Sequence, residues 1–269
     1  MKKPVVKVEF GEDSTKDAKN KSRRRFIKIG GLAFAGSSFL MYSCSGDDLF
    51  DPGRPQTGNP APEPEPEPEP EPTAFDLGSG DLGILNYDYA LEQLEAAFYT
   101  AVRGGAYYAG ASAEEKEIMD DLYNHEVIHR EFFRLAITAA AGEGNEALVL
   151  PDLEFDLSSV DLGDRTAVLT TAQTLEDTGV GAYNGAGNRI ENATYLLLAG
   201  KIVSVEARHA AAIRDILNED DPTAFAGDDI IDEDGLDIVL TPEEVIERAD
   251  PFITTEFTAN ELPQPMTGA

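Results

Sequence analysis

This 269-residue chain has one cysteine, no tryptophan and only three histidines. A single cysteine excludes an intramolecular disulfide framework. So few histidines mean that each placement can be weighed on its own. Basic residues are scarce beyond the N-terminus. Residues 1–43 carry ten Lys/Arg against four Asp/Glu, whereas the other 226 residues carry eleven against 47, a net charge of −36. A surface so acidic repels nucleic acid and anionic membranes, which excludes both as partners of the folded part. The apolar run Ile29 to Tyr42 has 14 residues, short of the roughly 20 needed by a membrane-spanning helix. No segment alternates as a strand, so an all-α fold is expected.

What is present at the N-terminus is a leader. Ser22-Arg23-Arg24-Arg25-Phe26-Ile27-Lys28 precedes the apolar run and resembles a twin-arginine export signal, with Arg23 and Arg24 as the paired arginines. A basic segment, a short apolar segment and small residues before a cleavage point mark a removable leader, here residues 1–43. Ser43-Cys44 follows directly and resembles a lipoprotein processing site, which implies lipid attachment at Cys44. Five consecutive Glu-Pro units then run from Glu63 to Pro72. Proline blocks helix and sheet while the glutamates repel, so residues 44–75 are expected to be a stiff tether. Together these features predict a protein carried by the twin-arginine export machinery and held at a membrane only through the lipid on Cys44. The location is then periplasmic or on the cell surface.

Helical periodicity begins at Asp81. The first helix is expected to run to Gly104-Gly105, and the second from a capping box at Ser112-Ala113-Glu114-Glu115 to Ala141. The third is expected from an N-cap at Asp164 to Ala186. The fourth, expected to be the longest, runs from Asn188 to Leu217. Residues 142–163 have crossover length. This is a four-helix bundle at 76–220, followed at 221–269 by an acidic loop, a short helix from Thr241 and a tail.

The helices repeat. Glu92 and Glu176 are each preceded by Leu and followed seven residues later by a tyrosine, Tyr99 and Tyr183. The second and fourth helices carry Glu126-x-x-His129 and Glu206-x-x-His209, placed 34 and 30 residues after Glu92 and Glu176. Residues three apart lie on one helix face. Each Glu/His pair can therefore reach inward to one cation, and carboxylates from the other helices can bridge two. Glu95 is the rival ligand on the first helix. The repeat favours Glu92, whose counterpart is Glu176, because Glu95 aligns with Gly179. His125 points about 100° away from Glu126 and is expected exposed or behind the ligands. Tyr99 and Tyr183 are open to three roles: hydrogen bonds to ligands, redox-active phenols or core packing. Asp177 and Arg208 are expected at the solvated surface. Asp228–Asp237 lacks the order of a calcium loop and is expected to be a solvated loop.

The order Glu, Glu-x-x-His, Glu, Glu-x-x-His resembles the ferritin-like superfamily of di-iron and di-manganese carboxylate bundles. The wording from Leu85 to Tyr99 is closest to the ferritin-like domain of desiccation-related proteins. The resemblance implies two metal ions, iron first and manganese second, held by Glu92, Glu126, His129, Glu176, Glu206 and His209. It also implies redox chemistry on oxygen or peroxide, as a ferroxidase, peroxidase or catalase. The alternative it leaves open is a non-catalytic, stress-related lipoprotein whose metal site is structural or vestigial.

Overall fold

The computed structural model describes residues 74–266. The expected export signal, Cys44 and the expected Glu-Pro tether lie outside the described residues. Four long helices form two antiparallel hairpins. In the first, α1 (Gly80–Gly104) packs on α3 (Ala113–Ala141); in the second, α4 (Arg165–Gly187) packs on α5 (Ala193–Leu217). A one-turn helix, α2 (Ala106–Gly110), joins α1 to α3, and α6 (Pro242–Ala249) lies against α4. The long crossover between α3 and α4 is therefore present, as is the bundle. Among the described residues no helix is long and apolar enough to cross a membrane.

Local chemistry sets most helix ends. Asp164 caps α4 by accepting the Ala167 N–H at 2.7 Å, and Thr241 with Glu244 forms a complete capping box on α6. At α3 only half of the expected box exists. Ser112 accepts the Glu115 N–H, but the Glu115 carboxylate turns away to Arg165 Nε at 2.6 Å. An ion pair to α4 has outcompeted a local bond. The fourth long helix also starts later than its periodicity suggests, at Ala193 instead of Asn188. The N–H groups of Glu191 and Asn192 donate to the Asp81 carboxylate on α1. Arg189 folds back to the carbonyls of Gly185 and Pro263. These amides and carbonyls are satisfied outside a helix, so the helix waits for Asn192 to cap it. Consequently α3, with 29 residues, is the longest helix, not α5 with 25.

From Gly83 to Ala96 every residue of α1 is buried, so this stretch of the helix has no solvent face. The crossover covers one side, held by two α1 amides a heptad apart. Asn86 donates to the carbonyls of Leu77 and Leu148 and accepts from Leu150 N–H. Gln93 donates to Pro151 and accepts from Leu153 N–H. The C-terminal segment covers more of it. Phe257–Thr258 (β2) pairs in parallel with Phe75–Asp76 (β1), and Phe155 bridges to Ile253. Leu240 meanwhile seats on α4, its N–H donating to the Gly181 carbonyl at 3.0 Å.

That seat depends on glycine. A Cβ at Gly185 would lie 2.0 Å from the Leu240 carbonyl oxygen, a distance that only backbone movement can relieve. Gly185→Ala should cost at least the roughly 1–3 kcal/mol of an overpacked core. Gly104→Ala, where nothing lies within 4 Å, should change stability by less than about 1 kcal/mol. Denaturant midpoints of the two variants against the parent check the pair, and equal midpoints would refute the close-packing account.

Candidate metal centre

All six residues singled out by the repeat converge at the middle of the bundle. Glu92 comes from α1, Glu126 and His129 from α3, Glu176 from α4, and Glu206 and His209 from α5. The four carboxylates are fully buried, and His129 and His209 nearly so. Their ligand-type atoms form two groups, each within 4.8 Å mutually: Glu92, Glu126, His129 and Glu206, then Glu126, Glu176, Glu206 and His209. Glu126 and Glu206 belong to both. They are the residues the two groups share, and each group adds one further glutamate and one imidazole.

The geometry has near-twofold symmetry. His129 Nδ1 faces Glu206 Oε1 at 2.8 Å, Glu126 Oε2 at 3.4 Å and Glu92 Oε2 at 3.5 Å. His209 Nδ1 faces Glu126 Oε1 at 2.8 Å, Glu206 Oε2 at 3.2 Å and Glu176 Oε2 at 3.4 Å. The two tyrosines cross between the halves. Tyr99 of α1 donates to Glu176 Oε1 at 2.5 Å, and Tyr183 of α4 donates to Glu92 Oε1. Both phenols are buried, so each fixes the rotamer of one terminal glutamate and leaves its other oxygen facing inward.

Those inward oxygens are the test of whether a cation fits. Glu92 Oε2, both oxygens of Glu126, Glu176 Oε2, Glu206 Oε1 and His129 Nδ1 are buried without a well-aligned hydrogen bond, their close contacts being only with one another and with the His209 imidazole. Native interiors rarely leave such atoms unmatched, because each desolvated acceptor costs free energy. Four carboxylates suit cationic charge, and these atoms all face one another. The cluster can hold metal.

A profile of the ferritin-like domain matches residues 80–219, just over half of the chain. The chain belongs to the ferritin-like domain family. No curated protein matches it. The matched segment of this ferritin-like domain spans α1 to α5 and contains every residue of the cluster.

Other predicted positions divide as follows. Glu95 is buried but stands outside both groups, lodged against Gly179, where a Cβ would lie 3.1 Å from Glu95 Oε1. His125 is exposed, and its Nδ1 contacts His209 Nε2 at 2.9 Å with the rings 8° from parallel and centroids 5.1 Å apart. So short an N···N distance at that separation describes rings side by side and nearly coplanar, not face-to-face stacking. Arg208 is at the surface, bonded to Ser204. Asp177 is not. Its carboxylate takes a two-pronged bond from the buried Arg214 at 2.9 and 2.6 Å, and Arg214 also grips Asp229 of the acidic loop. Buried Arg214 needed counter-charges, and Asp177 is the nearer one. Asp88 was not foreseen. It sits one turn before Glu92, fully buried, with neither oxygen partnered. The sequence signal is an acid set between two tyrosines, Tyr87 and Tyr89, one turn before Glu92.

Without cations, protons carry the balancing charge. Burial pushes Glu92 and Glu95 well above the usual carboxylate range and Glu176 up to about 8. Burial opposes a charged imidazole at His129, but Glu126, Glu206 and Glu92 outweigh it and raise its pKa to about 12. Burial likewise opposes ionisation of Glu126, yet both imidazoles hold it down to about 2. Cation binding requires deprotonated ligands. At pH 7 protonated ligands, Glu92, Glu176 and His129 among them, must give up protons, so ion uptake releases protons and affinity rises as pH rises towards 8. Titration calorimetry with Mn(II) or Zn(II) in buffers of different ionisation enthalpy checks this. Heats independent of the buffer would contradict it.

Proposed function

We propose that this is an exported ferritin-like protein whose bundle carries a dinuclear iron or manganese centre reacting with oxygen or peroxide. The observation that supports it is the set of buried, unpartnered ligand atoms facing one another across all four long helices. Iron is the first choice and manganese the second, because a carboxylate-rich set with two imidazoles suits both. A pair of such ions supplies the two electrons needed to reduce an O–O bond.

The chain's own residues supply the setting. Glu126 and Glu206 span the two positions, while Glu92 and Glu176 close the ends on the α1 and α4 sides. Tyr99 and Tyr183 orient those terminal glutamates and carry phenolic protons that burial and the adjoining carboxylates hold firmly. The apolar bundle keeps bulk water out, which strengthens every charge interaction inside it. His129 and His209 present Nδ1 inward, so the solvent side of the centre is the α3–α5 seam, where His125 is exposed.

In this reading the leader directs export through the twin-arginine route, and Cys44 carries the lipid that holds the protein at a membrane. The Glu-Pro run acts as the spacer between anchor and domain. Such an arrangement suits a tethered monomeric domain better than a storage cage. The second reading, a stress-related lipoprotein with a purely structural metal, draws on the same unpartnered carboxylates. Cations there would stabilise the fold whatever chemistry follows.

Elemental analysis and anaerobic Fe(II) addition followed by air separate these outcomes. The redox reading expects two ions per chain, a new near-ultraviolet absorption on oxidation and a raised melting temperature. A raised melting temperature with no spectral change and no oxygen or peroxide consumption supports the structural reading. No bound ion and no shift in melting temperature would sink both. For the anchor, Cys44→Ala should move the protein from the membrane fraction to the soluble exported fraction.

A further inference from the structure

The internal repeat makes the two candidate ion positions nearly equivalent, so the places where it breaks carry information. Superposing Glu92 on Glu176 puts Glu95 against Gly179. Superposing Glu126 on Glu206 puts His125 against Val205. The first half of the chain thus contributes Glu95 and His125 where the second half has neither; Asp88, set against Ala172, is a further break. Glu95 and His125 act on the same end of the cluster, the one made by Glu176 and His209.

Glu95 reaches across from α1 to α4. Its carboxylate fills the space that Gly179 leaves empty, 3.1 Å from where a Cβ would stand, and Gly179 lies three residues after Glu176 on the same helix face. Glu176 is the residue whose charge bears most on Glu95. His125 stands behind His209. Its Nδ1 meets His209 Nε2 at 2.9 Å in nearly coplanar rings, which fixes the ring so that Nδ1 faces Glu126, Glu176 and Glu206. Groups that orient a metal-binding imidazole in this way tune its affinity. At the other end neither device exists. Gly179 has no side chain to offer, and no hydrogen bond reaches the second nitrogen of His129 among the described residues. Asp88 stands one turn before Glu92 on α1 and lines a cavity with Phe132 and Phe133. Like Glu95 it belongs to neither group, and among the described residues no imidazole stands behind His129 as His125 does behind His209.

We infer that the two ion positions are unequal: the one bounded by Glu176 and His209 binds more tightly and fills first, with Glu95 and His125 as the residues that make it so. This rests on the dinuclear reading above. Glu95 places a carboxylate beside that position, and His125 acts as a positioning residue through His209.

Mn(II) titration of the metal-free protein, followed by calorimetry and electron paramagnetic resonance, tests it. The parent should bind in two steps, with an isolated-ion signal at one equivalent that gives way to a coupled-pair signal at two. Glu95→Gln keeps size and removes the carboxylate, and should weaken the first step about tenfold or more while sparing the second. His125→Ala should weaken the first step similarly, and His125→Gln, which retains a hydrogen-bonding side chain, should recover part of it. Gly179→Ala, whose Cβ displaces the end of the Glu95 side chain without removing its carboxylate, should also act on the first step alone. Two ions bound in one step, or losses confined to the second step, overturn the inference and leave the dinuclear reading intact. Fewer than two ions bound by a folded parent overturns both.

Discussion

Four carboxylates buried in an apolar bundle must be met by positive charge, and much of this structure is arranged around that demand. In the metal-free state two imidazoles and several retained protons meet it, with His129 raised to about 12 and Glu176 to about 8. Such a balance holds the cluster together through groups that cations can replace. The price is a core in which six ligand atoms lack well-aligned hydrogen bonds. A polar core of this kind stays specific only if each side chain is held from outside, and here each terminal glutamate is held by a tyrosine from the opposite half.

The same demand explains the position of α1. A helix buried all round from Gly83 to Ala96 must have its outer side covered, and a bundle of four helices leaves one side of each member open. The crossover and the C-terminal segment supply the cover. Asn86 and Gln93 hold the crossover's backbone, and the β1–β2 pair joins the two ends of the described chain. Segments outside the four-helix pattern therefore help keep water from Glu92, and the residues after Leu217 are part of what shields the cluster.

Symmetry and its breaking divide the labour further. The repeat supplies two like halves, each with a Glu, a Glu-x-x-His pair and a tyrosine that reaches across. Single positions then differ: Glu95 against Gly179, His125 against Val205. Gly179 is not a neutral absence, because the room it leaves is occupied by the Glu95 carboxylate. A small residue in one half and an acidic one in the other have become complementary across the α1–α4 contact.

The amino-acid sequence alone determined the bundle, its long crossover and the six converging residues. These rest on spacing within one helix: a 3.6-residue period, a three-residue Glu/His step and caps at Ser112, Asp164 and Thr241. Only the tertiary structure decided what depends on contacts between distant residues. Asp81 draws two amides out of the fourth long helix and delays its start. Arg214 takes Asp177 off the surface. Tyr99 and Tyr183 bond to glutamates 77 and 91 residues away, and His125 meets a histidine 84 residues on. Local periodicity says which face a side chain shares. It does not say which partner the packing of four helices will bring to that face, and the partners are what separate a ligand from its support.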